Sequence, residues 1–291
     1  MAGRAQDLLP YVGPANVVDT TKYFVILADS IGNGTTTSPS NSKLQPRMQF
    51  PKFTIGDMVE SEHRLLTEIL HIAHLRAVMG VSMGGMQTFE WLAAYPDFMD
   101  FAIPMEGSPQ STSYDKLLWT AQIDALELDP EWKSGNGTAP MVRGTAVYSE
   151  IGSTNVTSPA YRVNQTPSSQ FSQFLAQTRK SEVANASSAS DAIRQRRAIV
   201  SLDLPVEYGM TLDQIARRTR AKILVIVAKE DHMVNPAPAI AFASAVGAPI
   251  VTLDSNCGHL SFTCVSIGPT VAKFLADPAS VSSTTLRQSA K

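Results

Sequence analysis

Residues Gly80-Val81-Ser82-Met83-Gly84 sit between an apolar, strand-like run (Leu75-Arg76-Ala77-Val78-Met79) and a helix-like one from Gly85 to Tyr95. A serine at the apex of such a strand–turn–helix joint must adopt a strained backbone, and flanking glycines let neighbouring chain pass close by. The hydroxyl is then held above the sheet edge at the positive end of the following helix, where developing negative charge is stabilised. Gly-x-Ser-x-Gly by itself also arises as an ordinary turn. The strand before it and the helix after it give it meaning.

The segments around this joint read as an α/β pattern. Met1 to Lys22 is a loop-like lead, and Tyr23 to Ala28 is a continuous apolar run of the length and character of a strand covered on both faces. Asp29 to Pro51, rich in Gly, Asn, Ser, Thr and Pro, reads as a long surface loop. Helical spacing of Met58, Val59, Leu66, Ile69 and Leu70 predicts a helix with Asp57 as its N-cap. The serine strand, its helix to Tyr95 and a strand from Phe98 to Met105 follow, so the sheet is expected to be mostly parallel.

After Glu106 the character changes. Tyr114 to Leu128 is amphipathic, and Glu150 to Ser190 is Ser/Thr/Gln/Asn-rich. The four expected segments are a first core part over 1–107, a mainly helical cap insertion over 108–204, a second core part over 205–276 and a frayed tail over 277–291. Within the insertion, 149–169 also reads as an unordered linker. In the second core part, Ile223 to Ala228 is a buried strand, Pro238 to Val246 a helix, Pro249 to Leu253 a short strand and Val265 to Leu275 a closing helix.

Bulk properties exclude several functions. A formal net charge of −2, with no run of like charge, offers no electrostatic footprint for nucleic acid or an anionic membrane. No apolar run approaches membrane-spanning length, and Met1 to Pro10 lacks the form of a secretory signal. Two cysteines, Cys257 and Cys264, are too few for a disulfide scaffold, so both are expected as buried thiols in a reducing, cytoplasmic setting. The Asn-x-Ser/Thr sequons at Asn33, Asn136, Asn155, Asn164 and Asn185 are read as chance. No His/Cys/Asp cluster has metal-ligand spacing, and no Gly-Lys-Ser/Thr follows the glycines, so neither a metal nor a phosphate loop is expected.

A serine hydroxyl is a poor nucleophile near neutral pH and needs a base, which in turn needs an orienting carboxylate. Of the histidines, His63, His71 and His74 read as surface or helix-end residues, and His232 follows Asp231 directly. His259, in Asn256-Cys257-Gly258-His259, lies after the last core strand, where a loop can approach the serine from above. Asp231, just past the Ile223–Ala228 strand, is the expected carboxylate, with Glu106 and Asp254 as rivals. The backbone N–H of Met83 supplies one oxyanion donor by position, and a second is expected from a loop after an earlier strand.

With these residues in hand, the chain resembles the α/β-hydrolase-fold branch that includes the homoserine O-acetyltransferases. The resemblance is carried by Val12-Gly13-Pro14, Lys22 to Ile26, Gly32-Asn33-Gly34, Ser38-Pro39-Ser40-Asn41, Phe50-Pro51 and Thr54-Ile55-Gly56-Asp57-Met58-Val59. Gly80 to Gln87 with Glu90-Trp91, Tyr95-Pro96-Asp97 and Leu128-Asp129-Pro130-Glu131-Trp132 extend it. It is dense from about Tyr11 to Gly107, moderate to Tyr148, thin to Leu204, and recovers around Asp231 and Gly258-His259. It implies an acyl-enzyme mechanism with Ser82 as nucleophile, Asp231 as orienting acid and His259 as base. The chain order Ser, Asp, His is that of α/β-hydrolases.

Two departures shape the expectation. Homoserine acetyltransferases carry an Arg-Phe-Asp-x-Asn-Ser-Tyr-type segment in the insertion and an aspartate directly after the catalytic histidine. Here the insertion reads Ala189 to Ala198 with arginines at 194, 196 and 197, which read as a solvated helix face, and His259 is followed by Leu260. In this fold three strands also precede the one expected at Tyr23–Ala28, and the loop after the third gives the second oxyanion donor. The chain begins too late to hold them, so it is expected to be an N-terminal truncation or a reading begun at an internal Met. The expected activity is hydrolysis of a small ester or thioester with no cofactor. The alternatives are an O-acyltransferase with acetyl-CoA as donor, and a non-catalytic binding protein or inactive truncated product of the same fold. A small-molecule substrate and assembly as a homodimer are the expected partners, with no nucleic acid and no membrane.

Overall fold

In a computed structural model, which describes residues 4–180 and 183–288, the alternating pattern becomes an all-parallel sheet with helices on both faces. Helix α1 (Ile55–Arg64) leads through a π-helical turn to β1 (Leu75–Val81), α2 (Met83–Ala94) and β2 (Met99–Met105). The insertion then supplies α3 (Ser113–Glu127), α4 (Arg143–Asn155), α5 (Pro159–Gln165), α6 (Phe171–Thr178) and α7 (Ala186–Ser201). The core resumes with α8 (Leu204–Tyr208), α9 (Leu212–Arg218), β3 (Lys222–Ile223), β4 (Val225–Ala228), α10 (Ala237–Val246) and β5 (Ile250–Asp254). It closes with α11 (Ser261–Cys264), α12 (Gly268–Ala276) and β6 (Thr284–Arg287).

The strand order is β1-β2-β4-β5-β6, with β3 also paired to β2. Side chains alternate between the faces, as the pleat requires. Val225 and Val227 of β4 join Met58 and Val59 of α1, Phe89 and Leu92 of α2, and Phe242 of α10 in one core. Leu224, Ile226 and Phe101 face the other way, into a core with Val271 and Phe274 of α12. A third cluster, with Leu126, Trp132, Met141 and Ile193, belongs to the insertion. Phe89 and Phe242 are fully buried and meet edge-on with ring centroids 5.0 Å apart. Burial of each such side chain contributes about 1.5–3 kcal/mol, enough to seat α2 firmly behind the serine.

Several expectations need correction. Tyr23–Ala28 forms no strand: Phe24 is 90% exposed, while Tyr23 and Ile26 pack against different core clusters. Apolar character makes a strand only where a neighbour offers ladder partners. Thr54, not Asp57, caps α1. Its extended backbone lets its Oγ1 accept the Asp57 N–H at 3.1 Å, and Asp57 returns the contact by accepting the Thr54 N–H at 2.7 Å. The single strand expected over Ile223–Ala228 is broken at Leu224 into β3 and β4. The stretch 277–291, expected to fray, contributes β6, which pairs with β5 from Val251↔Thr284 to Asp254↔Arg287. Its Thr-Thr-Leu-Arg sequence suits an edge strand, and only Leu286 needs to pack inward. Residues 149–169 are helical for most of their length rather than an unordered linker.

Candidate active site

The joint between β1 and α2 has the strained geometry its sequence predicts. Ser82 has φ 59° and ψ −118°, a left-handed conformation costly for a residue with a side chain. Close packing enforces it. A Cβ on Gly80 would lie 2.4 Å from the Gly84 carbonyl carbon, and one on Gly85 would lie 2.6 Å from the Met105 oxygen. The Ser82 N–H donates to Met105 O at 2.9 Å, tying the turn to the end of β2. Met83 opens α2, where first-turn N–H groups lack intrahelical acceptors and the helix end is electropositive.

The structure brings Ser82, Asp231 and His259 together. His259 Nε2 is 2.7 Å from Ser82 Oγ, and His259 Nδ1 is 2.8 Å from Asp231 Oδ2. Asp231 Oδ1 accepts the N–H groups of Met233 and Val234, both at 2.9 Å. A carboxylate only accepts, so the imidazole proton sits on Nδ1 and Nε2 is left to accept the Ser82 hydroxyl. The Asp231 side chain is 1% exposed and that of His259 8%. Such an array can strip the hydroxyl proton as the oxygen attacks a carbonyl and hold the resulting imidazolium against a buried charge.

The rivals for the carboxylate role fall elsewhere. Asp254 pairs with Lys229 and Arg287 at the exposed sheet edge, and both partners hold its carboxyl below the usual range. Glu106 is buried behind the array, and its carboxyl accepts the Phe262 N–H at 3.0 Å. The other histidines are distant in role. His63 stacks on Tyr95 at 3.8 Å between centroids, His74 pairs with Asp100, and His232 lies near Glu230.

The loop carrying His259 is gripped by residues that sequence reasoning passed over. The His259 N–H donates to Val156 O at 3.0 Å, and Ser158 donates to Asn256 O from both N–H and Oγ. Gly258, at φ 62°, leaves room for the Thr157 backbone, which a Cβ would meet at 2.8 Å. The insertion therefore holds His259 in place. The glycine before His259 was the available signal, since a left-handed backbone often marks a close approach.

Cys257 and Cys264 are joined in a disulfide, with Cα atoms 6.5 Å apart, contrary to the expectation of free buried thiols. The tight helical turns from Gly258 to Cys264 fold the chain back and bring the two ends within bonding reach. With the thiols joined, cysteine usage no longer points to a reducing compartment. Among the described residues no helix is long and apolar enough to cross a membrane.

The arginines of α7 also differ from a solvated face. Arg194 donates to Met48 O and Phe50 O, each at 2.7 Å, and Arg196 donates to Gln122 Oε1 at 2.8 Å with its guanidinium over the Tyr148 ring. Arg197 pairs with Glu127. Arg194 and Arg196 are buried structural ties between the insertion, the 48–50 segment and α3.

A family model described as the alpha/beta hydrolase fold matches residues 10–263. The chain belongs to the alpha/beta hydrolase fold family. Among curated proteins this hydrolase-fold chain is 37% identical to a homoserine O-acetyltransferase of Moorella thermoacetica over 150 residues, 49% of this chain and 40% of the relative. It is 38% identical to an ethyl acetate hydrolase of Pseudomonas veronii over 128 residues, 43% of this chain and 36% of that protein. The matches thus span well under half the length of these relatives. The acetyl esterase MekB superposes with a TM-score of 0.85 at 24% identity, covering 94% of this chain and 84% of that one. A homoserine O-acetyltransferase from Bacillus anthracis gives 0.82, also at 24% identity, covering 91% and 79%. The resemblance to homoserine O-acetyltransferases read from the sequence is matched by relatives of that name, and the fold by these structures.

Proposed function

We propose that this chain is a serine-dependent acyl-transfer enzyme whose lead activity is hydrolysis of a small ester or thioester. The observation that carries the reading is the continuous hydrogen-bonded array Ser82 Oγ–His259 Nε2/Nδ1–Asp231 Oδ2 at 2.7 and 2.8 Å. Ser82 Oγ attacks the acyl carbon while its proton passes to His259 Nε2. The carbonyl electron pair moves to oxygen, which faces the Met83 N–H at the start of α2. Collapse expels the alkoxide or thiolate, protonated from Nε2, and leaves the acyl group on Ser82. His259 then takes a proton from water, whose oxygen attacks the same carbon, and the carboxylate leaves as Ser82 regains its proton.

Water is the favoured acceptor because the three arginines of α7, cations that could have paired with a zwitterionic alcohol's carboxylate, bind oxygens of the chain itself. A buried carboxylate requires a paired cation. Arg194 and Arg196 serve backbone and amide oxygens, Arg197 serves Glu127, and Leu260 stands where homoserine acetyltransferases carry an aspartate. Relatives named homoserine O-acetyltransferase support a second reading, transfer to a small alcohol, for which acetyl-CoA would be the donor, while relatives named ethyl acetate hydrolase and esterase support the first. A panel of p-nitrophenyl esters with and without candidate alcohols separates the two. Rapid acyl release in water alone supports hydrolysis, whereas release that depends on an added alcohol overturns it. A fluorophosphonate probe tests catalysis itself: labelling lost in Ser82→Ala supports the serine reading, and no labelling of the wild type leaves a non-catalytic binding protein.

A further inference from the structure

Glu106 is a buried acid that the reaction above does not use. It is the first residue after β2, beside Met105, whose carbonyl oxygen holds the Ser82 N–H. Its backbone has φ 48°, an uncommon conformation for a residue with a side chain, and its N–H donates to Ile226 O at 2.8 Å. The side chain is turned into the protein, 2% exposed. Oε1 accepts the Phe262 N–H at 3.0 Å, and Oε2 is buried without a hydrogen-bond partner among the described residues. Phe262 lies three residues after His259, inside the loop closed by the Cys257–Cys264 disulfide. One carboxyl oxygen therefore links the end of the strand beside the nucleophile to the loop that carries the base.

The titratable groups facing this carboxyl are Asp231, from the loop after β4, and Tyr11, from the N-terminal segment, with His259 one hydrogen bond beyond Asp231. Neither direct neighbour is a cation. A carboxylate in that position would be a second buried negative charge beside Asp231, with one N–H to compensate it. The neutral acid avoids that cost.

We propose that Glu106 is a positioning residue for the catalytic base, acting as a neutral carboxyl that anchors the His259 loop to the end of β2 through the Phe262 N–H. The proposal rests on the reading of Ser82, His259 and Asp231 as the reacting array. Burial, and then the charge of Asp231, push the Glu106 carboxyl well above its ordinary value, in accord with the neutral form.

The test compares wild type, Glu106→Gln and Glu106→Ala by two independent readouts. Hydrogen exchange of a peptide spanning residues 257–264 needs no substrate. Exchange is expected to quicken in Glu106→Ala and to stay at the wild-type rate in Glu106→Gln, whose amide oxygen still accepts from Phe262. In ester turnover, Glu106→Ala should lose kcat by on the order of tenfold to a hundredfold with KM little changed, because displacing a reacting group by about 1 Å is costly. Glu106→Gln should keep its kcat and the acid limb of its pH profile, and lose any alkaline decline that comes from ionising the glutamate. Unchanged exchange in Glu106→Ala overturns the anchor. A downward shift of the acid limb in Glu106→Gln overturns the neutral form, because it would mean that a negative charge beside the base had been removed. A wild type without turnover would overturn the Ser82 reading, and the exchange comparison would still decide the anchor.

Discussion

His259 Nε2 and Ser82 Oγ are 2.7 Å apart although 177 residues separate them in the chain. The contact forms because two strand ends, a left-handed serine and a gripped loop converge above the sheet. On the proposed reading, removing the hydroxyl removes the nucleophile at the cost of one side-chain contact, that with His259. Ser82→Ala should lower ester turnover by about 10⁴-fold or more. Initial-rate assays check it, with an unchanged melting temperature as the control for folding.

Asp231→Asn should be nearly as damaging, for a different reason. Asp231 Oδ1 already accepts from Met233 and Val234, so the asparagine oxygen has a strong reason to stay there. Its NH₂ group then faces His259 Nδ1 and forces that nitrogen to accept. The imidazole proton moves to Nε2, which can no longer take the Ser82 proton. Turnover should fall by on the order of 10³–10⁴-fold with the fold intact, and activity returning at higher pH would argue against this cause.

The Cys257–Cys264 disulfide closes a short loop around His259. Breaking it frees the unfolded chain and loosens the segment that holds His259 and the Phe262 N–H. A loop of this length is worth about 2–3 kcal/mol in the chain-entropy account. Cys264 lines an open groove of about 780 Å³ with Tyr11 and Phe262, so a small reductant has a path to it. Dithiothreitol, or the double change Cys257→Ser with Cys264→Ser, should lower both the melting temperature and kcat. A free-thiol assay of the native protein checks the bond itself.

The core and the hydrogen-bonded array of Ser82, His259 and Asp231 were legible because their signals are local. The Gly80–Gly84 turn carries its own strain, Asp231 follows β4, which is buried along its whole length, and His259 follows β5, which buries Val251 and Leu253. What escaped depends on distant partners. Tyr23–Ala28 is as apolar as a strand yet has no ladder to join, and Thr284–Arg287 looks like a tail yet pairs with β5. The burial of Arg194 and Arg196 depends on carbonyl and amide oxygens more than 70 positions away. The disulfide had a readable cue, two cysteines bracketing the candidate base, but only the helical turns between them show that they meet.

Glu90 makes stability depend on pH in a definite direction. It lies on α2, behind the serine, 1% exposed. Its Oε1 accepts the Tyr208 hydroxyl at 2.5 Å, and its Oε2 has no partner among the described residues. Burial, and to a lesser degree the charges of Glu207 and Asp57, raise its carboxyl from 4.5 to about 7. The folded state therefore binds the proton more tightly than the unfolded chain. The stabilisation is fully present below about pH 4.5 and is lost as pH rises through about 7. Glu90→Gln keeps an acceptor for Tyr208 and cannot ionise, so it should be more stable than the wild type at pH 8, by on the order of 3 kcal/mol. The difference should shrink towards pH 5. Melting curves of both proteins across that range check it, and a gap that stays constant with pH would show that Glu90 is not the group responsible.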